Sequence, residues 1–198
     1  HTINPIRGFV SSANQKSTDR GFPVYYNDGD FRDYRGTMIN RYLSEKKLWN
    51  VDDMKALQYN AYSLRAETSL PSLLKYLDTT ALNSVNQQVY HELKSWNYMY
   101  DSNAVAPVYF DLWMDIFHRL VWDEISQDTL KKYTAMPSDQ TTIRLMKEQV
   151  NLKYFDILSS SRKESLSDVV RISYDSLINQ LQDKLLLTKK WADYKHVS

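Results

Sequence analysis

The chain has 198 residues, 42% of them hydrophobic and 25% charged, which is ordinary for a globular domain of this length. The net charge is +1 and the charges are interspersed, so no basic stripe indicates a nucleic-acid partner, and no apolar run is long enough for a membrane span. Because the chain contains no cysteine, thiol catalysis, disulfides and Cys-based zinc sites are excluded.

The glycines divide the chain into an extended head and a helical body. All four lie within the first 36 residues: Gly8, Gly21, Gly29 and Gly36. Glycine marks turns and close backbone approaches and is disfavoured inside helices. This distribution predicts an extended or loop segment over residues 1–29, followed by a helical domain over 30–187. Over residues 188–198 the helical period is lost, and we expect a returning strand.

The helical domain begins with local start signals. Asp30 with Asp33 predicts the start of the first helix, and Asn50 with Asp53 predicts the second, since both pairs have the spacing of a capping box. Pro71 is expected at the first position of the third helix. Apolar residues at spacings of three and four follow each of these starts.

The strongest helical pattern is NAVAPVYFDLWMDIFHRLVWDEI, residues 103–125, with a broad apolar stripe and Pro107 in its first turn. Ser138 predicts the start of a shorter helix. Ser165 or Ser167 predicts the start of the last long one. The whole pattern favours a mainly α, multi-helix domain with short extended segments at both ends.

The extended ends lack neighbours of their own. An isolated strand is not stable, so we expect both ends to join strands supplied by other sequence. His1 in place of Met agrees with a mature or excised piece of a longer protein.

Most polar side chains have an ordinary structural interpretation. The four histidines show no i, i+4 spacing of a helical metal site. The stretch NDGDFRD, residues 27–33, lacks the spacing and the distal Glu of a calcium loop, and helix capping accounts for its acids. Ser11 and Ser12 lie outside any G-x-S-x-G elbow.

Asn14 and Arg35 differ from these residues. A carboxamide at the end of an extended segment is suited to donate an N–H to a developing oxyanion. Arg35 in the first turn of a helix is poorly placed for the helix dipole, which indicates another partner. On residue type alone, a turn asparagine and a salt-bridged arginine remain the default interpretation.

Several motifs together resemble the penicillin acylase family. NPIRGFVSSANQ (residues 4–15) is similar to its N-P-x-x-G-[FY]-[VI]-x-x-[AW]-N-N segment, and DYRGTMINRYL (33–43) to its helix opened by an Arg. NVDDMKALQYNAYSLRAETSLPSLLKYL (50–77), WNYMYDSNAVAPVYFDLW (96–113) and KKWADYKHVS (189–198) resemble later elements in the same order. The resemblance covers nearly the whole chain.

The resemblance implies an αββα N-terminal-nucleophile hydrolase that cleaves a linear N-acyl amide bond of a small molecule. Its nucleophile is an N-terminal Ser whose own α-amine acts as base. Asn14 then corresponds to an oxyanion-hole residue and Arg35 to a residue near the nucleophile's amine. The chemistry requires no cofactor, and the export of such acylases implies a periplasmic or exported location.

The chain also departs from the family pattern. Residue 1 is His, so we expect an internal piece of the β-subunit region that is inactive alone and has the remainder of the acylase chain or chains as its partner. Gln15 replaces the second Asn of the motif. Tyr25, Tyr26 or Asn27 stands where the family often supplies a carboxylate to a structural calcium ion. This segment therefore does not support calcium binding. A structural calcium ion bound elsewhere in the full-length protein is still compatible with the resemblance.

Two alternatives stay open. In one, the Tyr- and Trp-rich helices form a non-catalytic module that binds a peptide or a protein. In the other, the chain belongs to a family member that has lost activity. The sequence preceding His1 in the full gene distinguishes the active enzyme from both alternatives, because an upstream Gly-Ser processing junction indicates the enzyme.

Overall fold

The computed structural model describes residues 3–13, 21–24, 33–80, 82–126, 132–148 and 151–196. They belong to two compact units, His1–Leu64 (unit 1) and Arg65–Ser198 (unit 2). The described ranges contain nine α-helices, one 3-10 helix and no β-strand, which confirms the mainly α prediction. The predicted boundaries after residues 29 and 187 concern membership of the sheet of a larger enzyme, and they stay a prediction.

Unit 1 contains helices α1 (Tyr34–Glu45) and α2 (Val51–Gln58). The capping box predicted at α2 is confirmed: the Asp53 amide donates to Asn50 Oδ1 at 2.9 Å, and the Asn50 amide donates to Asp53 Oδ2 at 3.0 Å. Helix α1 begins later than predicted, and its N-cap Asp33 makes no side-chain capping bond to the described part of the helix. Asp30 lies outside the described residues.

Unit 2 holds the remaining helices, the first of which begins at the last residue of unit 1. They are α3 (Leu64–Tyr76), α4 (Ser84–Ser95), α5 (Ala106–Val121), α6 (Asp123–Ser126), α7 (Asp139–Glu148), the 3-10 helix (Lys153–Phe155), α8 (Leu166–Asp183) and α9 (Trp191–Lys195). None of the helices in the described ranges combines the length and the apolar character that crossing a membrane requires.

Helix α5 forms the centre of unit 2. It packs mainly against α8 and also contacts α4, α6, α7, α9 and the 3-10 helix. The Trp113 and Tyr174 rings meet edge to face with centroids 4.9 Å apart, and Trp113 Nε1 donates to Ser173 Oγ at 2.9 Å. A helix covered on several sides needs apolar residues around most of its circumference, which explains the broad stripe in its sequence.

Pro71 lies inside α3, so the prediction that it opens this helix was wrong. Proline lacks the N–H that the helical hydrogen-bond pattern requires. The helix nevertheless continues, because Leu70, Leu73 and Leu77 recur at helical spacing and are all buried, while Pro71 is exposed. Burial of this stripe outweighs the local preference of proline for a helix start.

The structure also differs from the extended segment predicted over residues 188–198. Residues Trp191–Lys195 form helix α9. The Trp191 amide donates to the Ala104 carbonyl at 2.9 Å, and the rings of Trp191 and Tyr100 lie 4.6 Å apart. So short a helix has little stability of its own, and these long-range contacts stabilise it. A helix of 5 residues is also too short for its sequence to show a helical period.

Ser165, one of the two residues predicted to start helix α8, is its N-cap. The Asp168 amide donates to Ser165 Oγ at 3.3 Å, and the Ser165 amide donates to Asp168 Oδ2 at 2.9 Å. Hydrogen bonds from the Ser165 hydroxyl and amide lower the pKa of Asp168. The carboxylate thus stabilises the fold above its unfolded-state pKa of about 3.9, and this stabilisation is lost as the pH falls below that value.

We predict that Ser165→Ala lowers the free energy of unfolding by about 1 kcal/mol, because it removes the hydroxyl that caps α8. Urea unfolding measures the change. Ser167→Ala is the matched control, since Ser167 is exposed in the same first turn. Equal losses in the two variants would show that the cap is not the cause.

Candidate functional site

The candidate site begins with the turn that opens the motif NPIRGFVSSANQ. The Gly8 amide donates to the Pro5 carbonyl at 2.8 Å, which closes the turn. Gly8 has φ of +80°, a conformation that L-residues rarely adopt. A Cβ at Gly8 would meet no described atom within 4 Å, so the backbone conformation, not space, requires glycine here.

Arg7 fixes the chain as it leaves this turn. Its Nε donates to the Phe9 carbonyl at 3.0 Å, and its guanidinium lies 4.8 Å from the centre of the Phe9 ring. One side chain therefore holds both the backbone and the ring of a residue two positions further on. The guanidinium still has further N–H groups with which to bind a second partner.

The second partner is Asn40, in the middle of α1. Arg7 Nη1 donates to Asn40 Oδ1 at 3.0 Å, and Ser11 Oγ donates to the same oxygen at 2.8 Å. Asn40 Nδ2 donates to the Gly36 carbonyl at 2.7 Å. Through these bonds the motif segment is attached to α1 at two points, at Arg7 within the turn and at Ser11 beyond it.

Of the two predicted site residues, the structure describes Arg35. Arg35 lies in the first turn of α1 and is exposed. Asn14 and Gln15 lie outside the described residues, which end here at Ala13. The chain that leads to Asn14 is thus attached to the helix that carries Arg35. The catalytic roles of both residues stay predictions.

Asn40 was not among the predicted site residues. Asparagine has a low helix propensity, because its side chain competes for backbone hydrogen bonds. An Asn in the interior of an apolar helical pattern is therefore a signal that its amide has another partner. Asn40 lies within the motif DYRGTMINRYL, but its partners Arg7 and Ser11 are far away in sequence, so the signal alone does not name them.

A separate polar cluster in unit 2 centres on Arg65. Its Nη1 lies 3.2 Å from Asp111 Oδ1 and its Nε lies 2.5 Å from Asp139 Oδ2. Tyr100 also donates to Asp111 Oδ1, at 2.8 Å. Burial disfavours the charge of the guanidinium, but the carboxylates of Asp139 and Asp111 outweigh burial and raise the pKa of Arg65. The cluster links α3 to α5 and α7 and has a structural interpretation.

A second buried polar pair lies between α5 and α7. Thr142 Oγ1 accepts from Trp122 Nε1 at 2.7 Å and lies 2.9 Å from His118 Nδ1. The side chains resemble a nucleophile beside a base, but Thr142 is fully buried. A hydroxyl without access to substrate does not act as a nucleophile, so the pair serves to join the helices.

The described residues include no group of three or more His, Asp or Glu side chains placed to hold a metal ion. Tyr25, Tyr26 and Asn27, one of which stands where the family often has a calcium-binding carboxylate, lie outside the described residues.

A comparison with family models identifies the chain. The model for penicillin amidase matches residues 1–198, the whole sequence given, and the chain therefore belongs to the penicillin amidase family. None of the curated proteins matches it. Membership confirms the family resemblance seen in the motifs. At the level of the family it implies an acylase-like amidohydrolase and a small-molecule amide as the class of substrate.

We predict that Asp139→Ala lowers the free energy of unfolding by about 2 kcal/mol, because the largely buried Arg65 loses one of its two close carboxylate partners and keeps only Asp111. Denaturant unfolding followed by circular dichroism measures the loss. Asp115→Ala is the control: Asp115 is 68% exposed and 4.0 Å from Arg65 Nη2, so its loss changes stability by less than about 1 kcal/mol. A similar cost at both positions would contradict the structural role assigned to Asp139.

Proposed function

We propose that this chain carries the oxyanion-stabilising part of the active site of a penicillin-acylase-like enzyme. The enzyme hydrolyses the N-acyl amide bond of a small molecule through an N-terminal Ser outside the 198 residues. The observation that carries the proposal is the family match over residues 1–198. The attachment of the motif segment to α1 through Asn40 supports it, because this attachment holds the chain next to Asn14 in a defined place.

In the proposed mechanism the Ser hydroxyl attacks the amide carbonyl while the α-amine of the same residue accepts its proton. Asn14 donates a hydrogen bond to the oxyanion of the tetrahedral intermediate. This bond lowers the barrier because it strengthens as negative charge develops on the oxygen. The proton then passes to the leaving amine. Water hydrolyses the resulting acyl-enzyme and restores the Ser hydroxyl.

Arg35 acts on the base rather than on the carbonyl. A positive charge near an amine disfavours its protonated form and so lowers its pKa. A general base is most effective when its pKa is near the working pH. We therefore assign Arg35 the role of keeping the α-amine unprotonated. No step of this chemistry calls for a cofactor, and we place the enzyme in the periplasm or outside the cell.

The surface of the motif segment supports its place within a larger enzyme. Ile3, Ile6 and Val10 are all largely exposed, although such side chains are usually buried. A segment that pairs with further chain of the same enzyme would bury them. Exposure of this kind also fits the alternative of a non-catalytic interaction module, so activity has to decide between the two.

We predict that Asn14→Ala in the complete enzyme lowers kcat by about 100-fold or more, since loss of one oxyanion donor has an effect of this order. KM changes little, because the bond forms mainly in the transition state. Ser12→Ala, an exposed position on the same segment, is the control and keeps its activity. An unchanged kcat in Asn14→Ala would remove this residue from the site.

We further predict that the 198-residue chain alone does not hydrolyse aromatic-acyl amides or acyl-homoserine lactones, because the proposed nucleophile is a Ser with a free α-amine and residue 1 is His. Product release is measured by chromatography against a heat-denatured sample. Turnover above that background would overturn the proposed nucleophile.

A further inference from the structure

We infer that Asn40 is a positioning residue for the reaction: its side-chain amide fixes the segment that presents Asn14 to the oxyanion. This inference rests on the function proposed above. Asn40 does not contact the reacting atoms in this scheme. It acts through the chain between Ser11 and Asn14.

The orientation of the Asn40 amide follows from its partners. Arg7 Nη1 is a donor only, and it faces the same atom as the Ser11 hydroxyl, so that atom has to be the carbonyl oxygen. The amide nitrogen then points to the Gly36 carbonyl within α1, at 2.7 Å. All three bonds are satisfied by one orientation, and a rotation of the amide by half a turn would break the bonds with Arg7 and with the Gly36 carbonyl.

The two donors lie on either side of the stretch from Gly8 to Val10. Arg7 precedes Gly8 and Ser11 follows Phe9, and both bind one oxygen of α1. Arg7 also binds the Phe9 carbonyl, so the backbone between the two donors is held from its own side as well. A segment fixed at two points that are four residues apart has little freedom to slide along the helix.

Asn14 is close to this anchor along the chain. It follows Ser11 by three residues, which span at most about 10 Å when fully extended. Anchoring Ser11 therefore limits the positions that are open to Asn14, and loss of the anchor widens that range. Catalytic hydrogen bonds are sensitive to such shifts, since a misplacement of about 1 Å can cost about 100-fold in rate.

Asn40 is half-buried, Arg7 is exposed, and neither belongs to the apolar core. Loss of their hydrogen bond should leave the two helices of unit 1 intact. The effect should then appear in the rate and not in the unfolding transition, which separates a positioning role from a structural one.

A double-mutant cycle on the complete enzyme tests the inference. We expect Asn40→Ala to lower kcat by about 10- to 100-fold, with KM within about twofold, because the loss is bounded by that of the oxyanion donor itself. Combined with Asn14→Ala, it should lower kcat no further, since both changes then remove the same hydrogen bond to the oxyanion. Asn40→Asp, which keeps the acceptor for Arg7 and Ser11, should recover most of the rate.

Substituting the two donors, Arg7 and Ser11, is a second test that leaves α1 unchanged. It tests the positioning role of Asn40 if Asn40→Ala does not fold. Arg7→Ala combined with Ser11→Ala should reproduce the loss of kcat. Ser44→Ala is the matched control: Ser44 Oγ donates to the backbone carbonyl of Asn40 at 2.8 Å, so it touches the same residue without serving the anchor. Its kcat should equal that of the unmodified enzyme.

The outcomes separate the two proposals. If Asn14→Ala leaves kcat unchanged, the proposed function of Asn14 fails, and with it the role of Asn40. If Asn14→Ala is costly but Asn40→Ala and the paired donor variant are not, the inference about Asn40 alone is overturned. Full additivity of Asn14→Ala and Asn40→Ala would overturn it as well, because independent losses mean that Asn40 does not act through Asn14.

Discussion

The burial of helix α5 is the constraint on which unit 2 depends. Its side chains include several that are completely buried, among them Phe110, Trp113 and Phe117. Burying each such side chain contributes about 1.5 to 3 kcal/mol, but only if other elements cover the helix from different directions. The long helix α8 and the shorter helices around α5 meet this requirement.

The polar atoms of the core follow the same constraint. Buried polar groups need hydrogen-bond partners, and α5 obtains them from distant parts of the chain. Tyr109 donates its hydroxyl proton to the Leu187 carbonyl, and burial raises the pKa of Tyr109 to about 12, so it remains a donor at any ordinary pH. Trp113 and Ser173 provide a similar link to α8. These directional bonds fix how α5 is aligned with its neighbours, which apolar packing alone does not specify.

Unit 1 is held together differently. Among its described residues only Gly36, Met38 and Leu64 are buried, so side-chain hydrogen bonds have a larger share in its structure. The capping box of α2 stabilises a helix in this way, whereas the anchor at Asn40 attaches the motif segment to α1. The sequence indicates the first by local spacing, because Asn50 and Asp53 are three residues apart. For the second, it does not identify the partners of Asn40, because they lie about thirty residues away along the chain. The same distinction explains why the capping box of α8 was predictable and helix α9 was not, since α9 depends on contacts with Ala104 and Tyr100.

The placement of tryptophan has a practical consequence for spectroscopy. Trp49 lies in unit 1, where its Nε1 donates to the Lys46 carbonyl and the Lys46 ammonium lies 4.8 Å from its ring. The other four, Trp96, Trp113, Trp122 and Trp191, lie in unit 2. Intrinsic fluorescence therefore reports mostly on unit 2, while circular dichroism reports on the helices of both. A mismatch between the two signals during unfolding would reveal that the units lose structure at different denaturant concentrations.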